Sequence, residues 1–265
     1  MKGMYDLVVY YIIQENMYHI GIDIGSTASK VAVLKNREII ETLLMSTGFS
    51  SIVTSEAILK DLNESGINKE NSRIIATGYG RVSVPYACKT ITEISCHAKG
   101  ADFLFGEDCT VIDIGGQDTK AIMLNKGRVS KFMMNDKCSA GTGKFLEIMS
   151  NRLGVTQDEL SKLAMKGQAI AISSMCTVFA ESEVISLIGK GTPREDIAFG
   201  VIESVVNKVV QLVSQVSNDK YFLTGGLCDN HYLIERLEKA LQNPVSSIPM
   251  ARYAGAIGAA LYADN

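Results

Sequence analysis

The chain has 265 residues, of which 46% are hydrophobic and 21% are charged, and its formal net charge is −3. This composition is ordinary for a soluble globular protein of one large or two modest domains. Because no run of Lys or Arg is present, the composition does not favour binding to nucleic acid or to an anionic membrane surface. Six cysteines without a signal peptide are typical of a reducing cytoplasm and argue against a disulfide framework.

The first segment, residues 1–16, contains a short apolar run at Tyr5–Ile13. The run is too short to span a bilayer and lacks a small-residue cleavage site, so we expect neither a membrane anchor nor a signal peptide. Two interpretations remain open. The segment is either an extra strand or a stretch upstream of a second possible start at Met17, and we favour the second.

An internal repeat organises the rest of the chain. His19–Leu34 matches Thr110–Leu124, with Asp23 and Asp113 ninety positions apart (113 minus 23). Each copy is an apolar strand, a tight Asp-Ile-Gly turn and a second apolar strand, which predicts a β-hairpin. The duplication therefore predicts two pseudo-equivalent α/β halves.

The halves are expected at residues 17–108 and 109–265, with the last helix able to pack back onto the first half. In the first half, the patterns predict strands at 39–46 and 73–77 and helices at 52–65 and 92–105. In the second half, they predict strands at 129–135, 169–173, 221–226 and 245–248, and helices at 143–153, 156–166, 181–188, 194–216, 230–241 and 254–263.

The two hairpin tips, Gly25–Thr27 and Gly115–Gln117, carry little side chain. Their backbone N–H groups can therefore come close to a phosphate. Asp23 and Asp113 lie just before the tips, where one or two carboxylates can hold a hydrated Mg²⁺. The tips are accordingly predicted phosphate sites with a magnesium ion.

A lysine follows each aspartate by seven positions, at Lys30 and Lys120, and could meet phosphate charge. A single Asp-Ile-Gly turn would be equally well explained as a structural turn. Two copies with the same lysine spacing favour the phosphate site.

Two cysteine segments stand out in the second half, Met134–Leu146 and Ser173–Glu183. In each, small or hydroxyl residues and then an apolar run at helical spacing follow the cysteine, which places Cys138 and Cys176 at or just before a helix N-terminus. That position favours a thiolate, or a thiolate-ligated metal centre of net negative charge. Two thiolates are too few for an iron–sulfur cluster, which usually takes four, but a two-fold dimer would supply four.

Glycine pairs near the C-terminus complete the pattern. Thr224–Gly226 follows a predicted strand, and Gly255 and Gly258 lie in the last helix. Such segments allow the close backbone approach that an adenosine moiety needs. After two phosphate hairpins, this order resembles the nucleotide site of the superfamily that contains acetate and sugar kinases, heat-shock chaperones and actin.

That resemblance implies two ribonuclease-H-like α/β domains with an ATP cleft between them. The nucleotide contacts that it implies are Gly25, Ser26, Thr27, Ala28, Ser29, Lys30, Gly115, Gly116, Gln117, Gly225 and Gly226. Hydrolysis needs an oriented water and a metal-neutralised γ-phosphate. Gln117 is the candidate that positions the water, with Asp113 or Asp23 on the metal.

The cysteine segments narrow the family. Together with Gly78–Arg81, Glu93–Ala98 and Asp113–Asp118, they resemble the activator component of 2-hydroxyacyl-CoA dehydratases, a group that also contains the benzoyl-CoA reductase ATPase subunits. The similarity extends over residues 17–263.

This resemblance implies a cytoplasmic homodimer that holds one 4Fe-4S cluster through Cys138 and Cys176 of each chain. It also implies that ATP, with Mg²⁺, drives an electron from ferredoxin or flavodoxin onto a partner dehydratase or a related low-potential reductase. The setting would be anaerobic amino-acid fermentation. The other cysteines are interpreted as buried or incidental thiols.

Two other classes of function are alternatives to this one. A small-molecule kinase of the same superfamily would carry no cluster and would transfer phosphate to a second substrate. An actin-like scaffold ATPase is disfavoured because it has no need of two cysteines at helix N-termini.

Overall fold

The computed structural model describes residues 17–172, 176–216 and 219–264. The chain divides into two compact units. The first holds the described residues up to Leu104 together with those from Tyr253 onward, and the second is Phe105–Arg252. No helix in these described ranges is both long enough and apolar enough to cross a membrane.

The first unit is a five-stranded sheet with helices packed on it. Its strands lie in the order β3-β2-β1-β4-β5, with β1–β2–β3 antiparallel and β1, β4 and β5 parallel. The elements are β1 (Tyr18–Ile24), β2 (Ala28–Lys35), β3 (Glu38–Ser46), α1 (Ser51–Glu64), β4 (Ser72–Thr77), a 3-10 turn (Arg81–Ser83), β5 (Lys89–Thr90) and α2 (Glu93–Phe105).

The final helix, α8 (Ala254–Ala263), belongs to this first unit and packs against β1, β2 and β4. Its small residues allow an unusually close approach. A Cβ added at Gly21 of β1 would lie 1.8 Å from the Ala256 carbonyl oxygen, and one added at Gly258 would lie 1.8 Å from the Cys96 carbonyl oxygen. The glycine and alanine content of this helix is therefore explained by packing.

The second unit repeats the same sheet. Its strands lie in the order β10-β9-β6-β7-β8. The elements are β6 (Thr110–Ile114), β7 (Thr119–Asn125), β8 (Arg128–Asn135), α3 (Gly143–Leu153), α4 (Gln157–Ala164), α5 (Thr177–Gly189), α6 (Arg194–Val213), β9 (Tyr221–Gly225), α7 (His231–Leu241), β10 (Val245–Ser246) and a 3-10 turn (Pro249–Tyr253).

The two sheets correspond strand for strand. In each, an antiparallel three-stranded meander is followed by a strand that runs parallel to the first, and Asp23 aligns with Thr77 as Asp113 aligns with Thr224. The predicted hairpins are confirmed, with β1 paired to β2 and β6 paired to β7. The two equivalent α/β halves predicted from the repeat, and the ribonuclease-H-like architecture that the superfamily resemblance implied, are both confirmed.

Two predicted strands need correction. Residues 169–172 form no strand, because this segment lies along α6, where Ile170 and Ile172 pack at Gly200. The strand expected at 245–248 ends at Ser246, because Pro249 begins a 3-10 turn that the Ile248 carbonyl helps to close. Residues 1–16, for which two interpretations were left open, and Ser173–Met175 of the second cysteine segment lie outside the described residues.

Candidate functional site

The first hairpin carries a buried carboxylate at its end. Asp23 is only 2% exposed, and its Oδ2 lies 3.9 Å from Lys30 Nζ and 4.0 Å from His97 Nε2. Among the described residues, no donor lies within hydrogen-bond distance of Asp23 Oδ1. A buried carboxylate oxygen without a partner is costly unless a ligand satisfies it, so this oxygen fits a cation site.

The backbone of the first hairpin tip is fixed by hydrogen bonds to Thr47. The Thr47 hydroxyl donates to the Gly25 carbonyl oxygen at 2.7 Å and lies 2.8 Å from the Ser29 hydroxyl. Ser26 and Thr27 at the tip itself are exposed. The backbone of the tip is thus fixed while its outer surface remains accessible.

The second hairpin carries Asp113 in the equivalent position, but with more partners. Thr224 Oγ1 donates to Asp113 Oδ1 at 3.1 Å, and Lys120 Nζ donates to Asp113 Oδ2 at 3.3 Å. Lys120 Nζ also lies 2.9 Å from Asp118 Oδ2, and the lysine is only 1% exposed. Lys120 therefore neutralises two carboxylates of its own unit, a role that its sequence position alone did not reveal.

A glycine in a left-handed conformation closes each aspartate site. Gly78 after β4 has φ 90° and Gly225 at the end of β9 has φ 89°. A Cβ at Gly78 would lie 2.5 Å from Asp23 Oδ1, and a Cβ at Gly225 would lie 2.8 Å from Asp113 Oδ1. Only glycine combines this backbone conformation with so close an approach.

The segment expected to approach adenosine continues from Gly225. A Cβ added at Gly226 would meet no atom within 4 Å, so the backbone there borders open space. Arg252 Nη2 lies 2.6 Å from Asp229 Oδ2, which fixes the loop that follows. Gly225 is thus tightly packed, whereas the backbone of Gly226 leaves room for a ligand to approach.

The second hairpin tip is hydrogen-bonded directly to the start of α3. The amide of Gly143 donates to the Gly115 carbonyl oxygen and the amide of Lys144 donates to the Gly116 carbonyl oxygen, both at 2.9 Å. These are two of the N–H groups that a helix N-terminus leaves without an intrahelical partner. Gln117, next along the tip, is exposed.

The Cys138 loop precedes α3 and is braced by polar side chains. Asn135 Nδ2 donates to the carbonyl oxygens of Cys138 at 2.9 Å and Ala140 at 3.0 Å. Thr119 Oγ1 donates to the Gly141 carbonyl oxygen at 2.7 Å. The backbone around Cys138 is therefore well defined.

Cys176 is the N-cap residue of α5, and its side chain makes no capping hydrogen bond. Cys138 and Cys176 are both free and partly exposed, whereas Cys96, Cys109 and Cys228 are buried. The residues that follow the two partly exposed cysteines meet, because Ser139 Oγ lies 2.7 Å from Thr177 Oγ1. The predicted position at a helix start is confirmed for Cys176, whereas Cys138 lies in the loop before Thr142, the N-cap residue of α3.

The donor set fits a thiolate-ligated centre in part. Two half-exposed thiols on adjacent loops suit soft metal ligation. Within the part of the chain that is described, no group of three or more His, Cys, Asp or Glu side chains could hold a metal ion. In the described part of the chain, the Cys138 and Cys176 segments therefore bring two partly exposed thiols to adjacent loops.

Several site residues were not identified from the sequence. His97 on α2 lies beside Asp23, with its Nε2 4.0 Å from Asp23 Oδ2. Thr77 and Thr224 occupy equivalent positions beside the two aspartates. The Thr-Gly pair at the end of a strand in each half could have revealed the two threonines.

Two ribonuclease-H-like units, each with an aspartate at the end of its first hairpin strand, are the architecture of the ATPase and kinase superfamily that includes actin. The chain belongs to the BadF/BadG/BcrA/BcrD ATPase family, whose model matches residues 20–263. The family resemblance drawn from the cysteine segments is thereby confirmed.

Named relatives agree with this assignment. The chain is 45% identical to the (R)-2-hydroxyglutaryl-CoA dehydratase activating ATPase of Acidaminococcus fermentans, over 94% of this chain and 97% of the relative. It is 41% identical to the 2-hydroxyisocaproyl-CoA dehydratase activator of Clostridioides difficile, over 93% of this chain and 95% of the relative. It is 44% identical to the activator of lactoyl-CoA dehydratase of Anaerotignum propionicum, over 93% of this chain and 97% of the relative.

Solved structures of two of these systems superpose well. Component A of the Acidaminococcus fermentans dehydratase gives a TM-score of 0.88 at 44% identity, covering 94% of this chain and 98% of the other. The Clostridioides difficile activator with bound ADPNP gives a TM-score of 0.86 at 40% identity, covering 94% of each chain.

Proposed function

We propose that this protein is an ATP-dependent activator that delivers a low-potential electron from a 4Fe-4S cluster, shared by two copies of the chain, to a 2-hydroxyacyl-CoA dehydratase. One observation carries the proposal. The Gly115–Gly116 tip accepts hydrogen bonds from the first residues of α3, and Thr142, just before them, donates to the Ser139 carbonyl oxygen in the Cys138 loop. The Ser139 hydroxyl is in turn hydrogen-bonded to Thr177, next to Cys176. The named relatives, which activate such dehydratases, support the choice of partner.

The nucleotide side of the proposal assigns a role to each hairpin. The tips Gly25–Thr27 and Gly115–Gln117 bind phosphate oxygens through their backbone amides. Asp23 would hold the magnesium ion, since its Oδ1 is buried and has no hydrogen-bond partner in the described residues. Asp113 is the second candidate for the metal, and the exposed Gln117 orients the attacking water.

The redox side assigns Cys138 and Cys176 of both chains as the four ligands. A bound 4Fe-4S cluster would supply a one-electron store of low potential. Because Cys176 is the N-cap residue of α5, the N–H groups and the dipole of that helix favour negative charge at its sulfur. The Ser139–Thr177 hydrogen bond sets the spacing of the two loops.

Coupling follows from the contact between the second tip and α3. Gly115 and Gly116 accept hydrogen bonds from the first turn of this helix. A change in the tip when the γ-phosphate leaves therefore shifts the start of α3 and the Cys138 loop before it. Exposure and hydrogen bonding at the sulfur atoms set cluster potentials, so such a shift alters the tendency to donate the electron.

The test is an anaerobic assay with the reduced protein, ATP and a purified dehydratase, in which ADP formation and electron transfer are both measured. We expect the two to occur together. Cys138→Ser and Cys176→Ser should abolish electron transfer and retain ATP binding, whereas Cys88→Ser, a matched change at an exposed thiol outside the site, should behave as wild type. Transfer of labelled phosphate to a small molecule, in a protein without iron, would contradict the proposal and support a kinase.

A further inference from the structure

A cavity of about 190 Å³ in the second unit borders the Cys138 loop. The loop contributes Cys138 and Gly141 to its lining, and α6 contributes Lys208 and Gln211. Of the described residues that line the cavity, Lys208 is the only one that carries a charge. A positively charged residue and a candidate cluster ligand therefore line the same partly open cavity.

The stem of Lys208 is fixed against the cysteine loop. Gly141 has φ 85°, and a Cβ added there would lie 2.8 Å from Lys208 Cβ. The Gly141 carbonyl is held in turn by the Thr119 hydroxyl. The base of the lysine side chain therefore packs on the loop backbone three residues from Cys138, and both residues line the same cavity.

No carboxylate offsets this charge within the cavity. The other polar side chains that line it are the hydroxyl of Thr119, the thiol of Cys138 and the amides of Asn135, Gln211 and Gln215. Lys208 therefore brings a positive charge to a lining that offers no carboxylate to pair with it.

We propose that Lys208 is a positioning residue that raises the reduction potential of the cluster bound at Cys138, an inference that rests on the proposed function. A cluster ligated by four thiolates is negatively charged, and each added electron makes it more so. A fixed positive charge therefore stabilises the reduced form more than the oxidised form. Partial enclosure weakens the screening by water and salt, and two-fold symmetry places a second Lys208 equivalently.

The consequence concerns the loading of the cluster. A less negative potential lets a one-electron donor protein of low potential reduce the cluster without ATP, and nucleotide turnover then provides the drive to pass the electron on. Lys208 itself ligates nothing and moves no proton.

The experiment is a mediated redox titration of the anaerobically loaded dimer, followed by the electron paramagnetic resonance signal of the reduced cluster. The variants are Lys208→Gln, Lys208→Met, which keeps an apolar stem against Gly141, and Lys208→Arg, which keeps the charge. Lys239→Gln on α7 is the matched control, since it makes the same charge change at an exposed position of the same unit that does not line the cavity.

We expect Lys208→Gln and Lys208→Met to lower the equilibrium constant for cluster reduction about tenfold, which is a shift of about 59 mV toward negative potentials for one electron. Lys208→Arg and Lys239→Gln should match wild type. An unchanged midpoint in iron-replete Lys208→Met protein would overturn the inference and leave the proposed function intact. Loss of iron from Lys208→Met but not from Lys208→Arg would also overturn it, because the charge would then retain the cluster instead of setting its potential. Absence of iron in the wild-type protein would instead contradict the proposed function.

Discussion

Ser139 Oγ and Thr177 Oγ1 lie 2.7 Å apart, which joins the residues that directly follow the two partly exposed cysteines. The partners are 38 positions apart in the sequence. Thr177 is the first residue of α5, and Ser139 lies in the Cys138 loop, which leads into α3 and so to the Gly115–Gly116 tip. This contact therefore ties the candidate redox ligands to each other and to a phosphate hairpin.

The first prediction concerns this hydrogen bond. Thr177→Val keeps the shape of the side chain but removes the hydroxyl, which costs about 1 kcal/mol and loosens the spacing of the two thiols. We expect the loaded dimer to bleach several-fold faster in the presence of an iron chelator, measured by the loss of visible absorption. Ser182→Ala on the same helix removes a hydroxyl that donates only to the Val178 carbonyl at 3.0 Å, and it should bleach at the wild-type rate. Equal rates for all three proteins would show that the contact does not hold the cluster site together.

The second prediction separates two adjacent glycines. Gly225→Ala places a Cβ 2.6 Å from the Ile114 carbonyl oxygen at a residue with φ 89°, so we expect a loss of about 1–3 kcal/mol in the free energy of unfolding, together with weaker ATP binding. Gly226→Ala meets no atom within 4 Å and should keep nearly full stability. If Gly226 approaches adenosine as proposed, this variant should still bind ATP more weakly. Urea unfolding and calorimetric titration with ATP measure both effects, and wild-type stability of Gly225→Ala would be the contrary result.

The third prediction concerns thiol reactivity. Burial raises the pKa of Cys96 to about 12 and that of Cys228 to about 11, so these thiols remain protonated and unreactive at neutral pH. Cluster-free protein treated with iodoacetamide should be labelled at Cys88, Cys138 and Cys176. Loading the cluster should protect Cys138 and Cys176 while Cys88 remains reactive and serves as the internal control. Peptide mass spectrometry reads each site separately, and undiminished labelling of Cys138 in iron-replete protein would exclude it as a ligand.

The fourth prediction concerns acid stability through His19. Burial, more than the positive charge of Arg73, lowers the pKa of His19 below 6.5, and the carboxylate of Asp264, 3.2 Å from Nδ1, opposes only part of this effect. Because the unfolded chain then binds more protons, the free energy of unfolding falls as the pH drops from above 6.5 toward the folded-state pKa. Arg37, 3.6 Å from Asp264, adds a further positive charge beside this carboxylate.

His19→Gln removes this linkage. Its free energy of unfolding should decline less than that of wild type between about pH 7.5 and 5.5, by urea titration at each pH. His231→Gln, a matched change at an exposed histidine, should follow the wild-type curve. A steeper decline in His19→Gln would reverse the assigned sign.

The sequence predicted the features that local patterns encode. The Asp-Ile-Gly hairpins, the helix at Gly143–Leu153 and the terminal helix at Ala254–Ala263 were predicted with their observed pairing or bounds, because periodicity and turn residues act over short distances. The repeat also predicted two equivalent sheets, since homologous segments fold alike.

Those local patterns could not predict contacts between segments that are distant in the sequence. The burial of Lys120 between Asp113 and Asp118 was not foreseen, because its spacing suited a phosphate contact equally well. The packing of Lys208 on Gly141 and the Ser139–Thr177 bond depend on how α5 and α6 lie against the cysteine loop. Such adjacency is decided by core packing and not by local propensity.

The most direct test of the central claim is the iron and acid-labile sulfide content of the anaerobically purified protein, determined together with its oligomeric mass and visible spectrum. We predict a brown dimer with about four irons and four sulfides per two chains, and a colourless protein for both Cys138→Ser and Cys176→Ser. Anaerobic protein that binds ATP but contains no iron, or that retains a full complement of iron in either cysteine variant, would contradict the account.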